Sequence, residues 1–89
     1  MKLLFCENCQ DIVRLFDETR VCKCGKTSGA YINELDAWYS GDYAIPIGFQ
    51  NSSLGTAVRN QPEEGLGFNF TAFVIPKECP TFKLRQPEK

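Results

Sequence analysis

Cys6, Cys9, Cys22 and Cys24 are the residues of this chain best suited to chemistry. They form two tight pairs, Cys6-Glu7-Asn8-Cys9 and Cys22-Lys23-Cys24, with twelve residues between the pairs. Thiolates are soft ligands. Zinc held by four of them sits in a tetrahedron with Zn–S near ~2.3 Å, which places neighbouring sulfurs roughly 3.8 Å apart. A two-residue gap supplies that distance by folding into a tight knuckle. A one-residue gap does not, because in an extended strand the two side chains share a face about 6–7 Å apart. The chain must therefore bend at Cys22–Cys24, and Gly25, directly after it, can take the positive φ that such a bend needs. Disulfides are the weaker account: the cysteine count of five is odd, and the paired residues are too close for comfortable cross-linking. Four cysteines close the coordination shell and the chain has no histidine, so a structural Zn2+ is expected rather than a catalytic one. Iron held by the same four sulfurs is the alternative.

No catalytic constellation accompanies this cluster, and an enzyme is not expected. Cys79, in Lys77-Glu78-Cys79-Pro80, has no histidine to activate it and reads as a free thiol, half-buried or in a surface loop. Glu63-Glu64 and the pair Glu34 and Asp36 read as solvated charge, not as a general acid–base couple. Gly25-Lys26-Thr27 lacks the earlier glycine and the strand–helix setting of a phosphate-binding loop. Asn51, Ser52 and Ser53 could receive an anion at a helix start, which gives a small-molecule or nucleotide-binding reading, although capping explains the same residues.

Two further groups bear on partners. Arg14, Arg20, Lys23 and Lys26 lie near the cysteines and form a candidate nucleic-acid patch, or more simply screen an anionic thiolate cluster. The formal net charge is -1, and four thiolates around one dication add further negative charge. That sign opposes generic nucleic-acid binding, whose affinity comes mainly from neutralising phosphates. Trp38, Tyr39 and Tyr43 surround Ser40-Gly41-Asp42 and form a candidate contact surface for a protein partner. Trp38 and Tyr39 point to opposite faces of a strand, so both are hard to bury.

The elements that position these residues are short. Leu3-Leu4-Phe5 reads as a strand entering the first knuckle. Met1 to Phe5 has the look of a leader start, but Glu7, Asn8 and Gln10 interrupt it, and a cytoplasmic location is expected. Asp11 to Phe16 and Thr19 to Cys22 read as the two arms of a hairpin turning at Asp17-Glu18. After a loop at 25–29, Ala30-Tyr31-Ile32 returns as a strand. Leu35 to Phe49 reads as a second hairpin around Ser40-Gly41-Asp42, with Ile45, Ile47 and Phe49 alternating and Pro46 placing its strand at an edge. A homodimer through that edge is compatible with the pattern.

Leu54, Ala57 and Val58 give one apolar face to a short helix over about 52–60, ended by Pro62. Glu63 to Gly67 is an acidic loop. Phe68 to Ile75 is apolar on both faces and reads as a central strand, with Thr81 to Arg85 pairing back onto it and the last four residues frayed. With 89 residues and 43% hydrophobic content, the chain has material for one folded domain and one modest core. No apolar run is long enough to span a membrane. The expected fold is mainly β, a small α+β domain over residues 1–89. A zinc-ribbon-like N-terminal hairpin (1–30) is continuous with a small antiparallel sheet and one short helix (31–89).

The stretch from Cys6 to Tyr31, with Cys-Glu-Asn-Cys, Arg20, Cys-Lys-Cys-Gly and Ser28-Gly29-Ala30-Tyr31, resembles small uncharacterised zinc-ribbon-like proteins of bacteria and phages. Both the one-residue knuckle and the gap between pairs are shorter than the usual ribbon spacing. The resemblance continues through Ile47-Gly48-Phe49-Gln50-Asn51-Ser52 and Phe73-Val74-Ile75-Pro76, and so covers most of the chain. It implies a metal site and a phage or prophage setting, and it brings no established activity with it. The combined expectation is a non-enzymatic, zinc-stabilised binding protein acting by protein–protein interaction, with another protein as partner and, in a phage setting, a host factor. A nucleic-acid-binding ribbon and a small-molecule binder are the alternatives.

Overall fold

The structure is a computed structural model, and it describes residues 1–85. Fraying of the last four residues lies outside the described residues. Among the described residues the chain forms eight short strands and one helix: β1 (Lys2–Cys6), β2 (Ile12–Arg14), β3 (Arg20–Val21), β4 (Ser28–Tyr31), β5 (Ala37–Ser40), β6 (Ala44–Phe49), α1 (Asn51–Arg59), β7 (Ala72–Val74) and β8 (Phe82–Leu84). They build two four-stranded sheets, in the orders β2-β1-β6-β7 and β3-β4-β5-β8. The first is antiparallel throughout; in the second, β8 runs parallel to β5. The mainly β, α+β class expected from the sequence is observed.

The pairing of strands departs from expectation at five places. The arms around Asp17-Glu18 do not pair with each other: β2 folds back on β1, and β3 pairs with β4. Leu3-Leu4-Phe5 is apolar on both faces and takes a neighbour on each side, β2 and β6, which draws the first arm away from the second. Strands β5 and β6 do flank residues 40–43, yet they belong to different sheets. Gly41 makes that crossing at φ +121, and a side chain there would run into the Lys26 carbonyl.

Pro46 lies inside the first sheet, not at an edge. In the antiparallel register its ring nitrogen points towards β7 and leaves the ladder to β1 intact. Its carbonyl still accepts the Ile75 N–H at 2.9 Å, at the point where β7 ends. The missing donor therefore costs only the last rung. Finally, Phe68 to Ile75 is not a central strand. Only Ala72–Val74 is regular, at an edge, and residues 61–74 are exposed throughout. Phe82–Leu84 pairs instead with β5 in the other sheet.

Between the sheets lies a core of Leu4, Leu15, Ala37, Tyr39, Ala44, Ile75 and Phe82. The Tyr39 and Phe82 rings meet edge to face, 5.1 Å between centroids. Opposite residues in a ladder share a face, so Leu4, Val13, Ala44, Pro46 and Gly48 turn towards this core. By the same register Phe5, Ile12, Ile45, Ile47, Phe49 and Val74 turn away from it. In β6 the small residues face in and the large ones face out. The alternation Ile45, Ile47, Phe49 is real, but it marks the outer, half-buried side.

Phe82 is fully buried, at the centre of the core. Phe82→Ala should lower unfolding free energy by about 3–5 kcal/mol. Urea denaturation of the metal-loaded protein measures this, and a loss within about 0.5 kcal/mol would contradict the assigned packing.

Candidate metal centre

Cys6 is the last residue of β1, and Cys9 ends the turn that leads towards β2. Here the backbone closes by hydrogen bonds from Gln10 N–H to the Cys6 carbonyl (2.7 Å) and from Cys6 N–H to the Asp11 carbonyl (2.9 Å). Gln10 takes φ 61, the left-handed conformation usually left to glycine. Cys22 follows β3, and its knuckle closes in the same way, one residue shorter. Gly25 N–H reaches the Cys22 carbonyl (3.0 Å), and Cys22 N–H reaches the Thr27 carbonyl (2.9 Å). Gly25 has φ +82, as the one-residue gap requires. The Asp11 carboxylate then accepts the Lys23 N–H at 2.9 Å and ties one knuckle to the other.

The four sulfurs converge. All lie within 4.8 Å of one another, with Cys6–Cys24 at 3.7 Å and Cys22–Cys24 at 3.5 Å. These separations are far beyond a disulfide bond of about 2.05 Å and close to the roughly 3.8 Å edge of a zinc tetrathiolate. All four cysteines are free thiols in the chain, with Cys6 and Cys22 buried, Cys9 half-buried and Cys24 exposed. The cluster is therefore close enough to bind a metal ion. Val13 packs among Cys6, Cys22 and Cys9 as the apolar side of the site.

Thr27 supplies an independent test of fit. It is fully buried, and its hydroxyl has no well-formed hydrogen bond among the described residues. An orphaned buried hydroxyl is costly. Its backbone N–H donates to Cys22 Sγ at 3.3 Å, which sets the side chain beside the sulfurs. Burial pushes the Cys6 thiol up, but the Thr27 hydroxyl and the backbone N–H groups of Cys9 and Asn8 outweigh it and bring the thiol down to about 6. For Cys22, burial likewise raises the thiol, but the Thr27 N–H and Cys24 outweigh it and bring the thiol below its ordinary value. Burial raises Cys9 above its ordinary value. A thiolate cluster gives the Thr27 proton an acceptor, and metal ligands must be deprotonated. The donor set and its surroundings fit a bound metal dication.

The other expected site residues are dispersed. Arg14 and Arg20 gather on either side of the exposed Phe16 ring, at 4.9 Å and 4.7 Å. Lys23 sits at the knuckle. Lys26 lies over the Tyr43 ring at 5.5 Å and lines a different surface, a cleft of about 860 Å³ with Glu7, Asp42, Lys77 and Arg85. The four cations do not form one patch. Tyr39 is buried against Phe82 and is withdrawn from any partner surface. Trp38 is half-buried under Arg85, whose guanidinium is 4.1 Å from the ring centroid, and Tyr43 is exposed. At the helix start, Ser53 Oγ donates to the Gln50 carbonyl (3.1 Å) and accepts the Thr71 N–H (2.9 Å), so the chain itself occupies that position.

Cys79 is half-buried beside the main core. The Thr81 hydroxyl and backbone hold its thiol below the ordinary value. Gln10 and Thr27 escaped sequence reasoning: nothing in their types distinguishes them, and only the spacing to each knuckle could have drawn attention to them. Among the described residues, no helix is long and apolar enough to cross a membrane.

Thr27→Val removes the orphaned hydroxyl and should stabilise the metal-free protein, while weakening metal affinity about tenfold or more. Competition with a chromophoric chelator measures the second effect, and unchanged affinity would make Thr27 a packing residue only. The sign of the pH effect follows from Cys6. Its thiolate is favoured in the folded chain, so its contribution is complete above its unfolded value and is lost as pH falls through about 6. The metal-free chain should accordingly lose stability as pH falls across that range, which urea denaturation at a series of pH values measures. Comparison of the chain with protein-family models, with curated proteins and with solved structures finds no match.

Proposed function

We propose that this chain is a zinc-stapled, non-enzymatic binding protein that works by contact with another protein. The observation that carries the reading is the outer face of the first sheet, where Phe5, Ile12, Ile45, Ile47, Phe49 and Val74 stand together around the buried Leu3, with Ile12 and Val74 exposed, the others half-buried and Arg14 at the border. Sheets with one solvated face ordinarily place polar residues on it. A contiguous apolar face is the usual mark of an interaction surface. The outer face of the second sheet is less apolar, since it carries Ser28, Ser40 and Lys83 beside Val21, Ala30 and Trp38.

Zinc is the metal of this reading because four cysteines close a tetrahedral shell, which leaves no position for water or substrate. The metal's role is then to hold the scaffold. A phage or prophage setting with a host protein as target rests on the resemblance alone. Nucleic-acid binding is the second reading, favoured by the two arginines that flank Phe16.

A tagged pull-down from bacterial lysate, with and without nuclease, separates the two. Ile47→Lys puts a charge into the centre of the outer face and should abolish retention of the protein partner, with one zinc per chain preserved. Trp38→Ala and Tyr43→Ala should leave retention intact; if they abolish it and Ile47→Lys does not, the aromatic turn is the contact surface. Retention that depends on nucleic acid and falls steeply with added salt would support the second reading instead.

A further inference from the structure

An edge strand exposes a row of unpaired backbone groups, and folded proteins normally blunt such edges with charge, proline or a covering element. Three of the four sheet edges here follow that rule. Strand β2 carries Arg14 with Asp11 beside it, β3 carries Arg20 with Lys23 beyond it, and β8 carries Lys83 followed by Arg85. Strand β7 does not follow it. No charged residue occurs between Glu64 and Lys77, and every residue of β7 is exposed, with Phe73 at 51% and Val74 at 69%.

The hydrogen-bond register shows which groups are open. Thr71 accepts from Gln50 N–H (2.9 Å), Phe73 lies opposite Gly48, and Ile75 N–H reaches Pro46. These alternate residues point inward. Ala72 and Val74 therefore direct their N–H and C=O groups away from β6, and no partner for them is found among the described residues.

We propose that β7 pairs antiparallel with β7 of a second copy of this chain, joining the two first sheets into one continuous sheet. The occupant follows from the charges that bracket the segment. Glu63 and Glu64 precede it, and Lys77 follows it with Glu78 next to it. An antiparallel pair brings the acidic end of each copy against the lysine of the other, whereas a parallel pair opposes like charges at both ends. Setting Phe70 opposite its counterpart places Phe68 against Ala72 and, once the bend at residues 63–66 with Gly65 at φ +85 is drawn straight, Leu66 against Val74 and Glu63 against Lys77. The outward-pointing residues then face one another, as an antiparallel ladder requires. Leu66 is 94% exposed and gains a neighbour in this arrangement. Pairing extends the strand back through Phe68 from Thr71, which α1 already anchors through Ser53. The local two-fold axis stands perpendicular to the sheet, so both outer faces lie on one side of the dimer. The inference uses the strand edge and does not depend on what the outer face binds.

Sedimentation equilibrium of the full, zinc-loaded chain over a concentration series tests it. The expected species has twice the 10.1 kDa mass of the chain. Ala72→Pro removes an outward N–H without touching the ladder to β6, and should leave a monomer with its zinc content unchanged. Lys77→Glu should weaken the dimer about tenfold, and combining it with Glu63→Lys and Glu64→Lys should restore the affinity. A monomer at every concentration overturns the proposal. So does a dimer indifferent to both Ala72→Pro and Lys77→Glu, or a chain that stays monomeric while a different protein adds a strand to this edge.

Discussion

The convergence of four sulfurs holds the two sheets together at one end. Cys6 closes β1 of the first sheet, and Cys22 and Cys24 follow β3 of the second, so the cluster joins the sheets directly. Around it the apolar contribution is Val13 and little else. The other end of the molecule is held by the conventional core that includes Leu4, Leu15, Tyr39 and Phe82. A chain of 89 residues buries a limited core, and metal coordination is folding free energy that such a chain can use in its place. Both knuckles are shaped for that purpose by positive φ, at Gln10 in one and Gly25 in the other.

Close approach of the sheets also decides which side chains fit between them. A Cβ added at Gly29 would lie 2.8 Å from Leu4 Cδ1 of the opposite sheet and 3.3 Å from Leu15 Cδ2. With the gap so narrow, β6 presents Ala44, Pro46 and Gly48 to the interior, and β5 presents Ala37 together with the one large residue Tyr39. Ile45, Ile47 and Phe49 have no room inside and turn outward. The apolar outer face is thus tied to the same constraint as the core, since a wider gap would have admitted these side chains.

The metal cluster was legible because its chemistry is written in residue type and spacing: four cysteines, two knuckles, one glycine. The helix was legible within one residue at each end from Leu54, Ala57 and Pro62. Pairing was much less so. Ser40-Gly41-Asp42 announces a reversal, but a reversal within one sheet and a crossing between two sheets use the same turn residues. Alternation at Ile45, Ile47 and Phe49 says that these residues share a face; it does not say which face is inward, because that depends on the distance to the other sheet. Apolar residues on both sides of Phe68 to Ile75 look the same whether the strand is covered or bare. The parallel pairing of Phe82–Leu84 with β5 joins segments more than forty residues apart, and no local signal carries it.

A metal ion can fix chain geometry, but it cannot cover apolar surface. A metal ion held at the knuckles would relieve the core of part of its stabilising role, and the aromatic and branched residues that a larger core would have taken in lie outside it. They spread along the outer face of the first sheet from Phe5 and Ile12, beside the knuckle, to Phe49 and on through residues 61–74, which are exposed along their whole length. That segment is nevertheless placed. Phe70 packs edge to face on Phe49 at 5.1 Å, and Thr71 is bonded to both Ser53 and Gln50. A fixed, bare strand differs from a loose tail because its ordering entropy is already spent in the monomer, so association there costs less than ordering a disordered segment would. A bare strand already held in place by Phe49, Gln50 and Ser53 is thus the feature on which the proposed association of two copies draws.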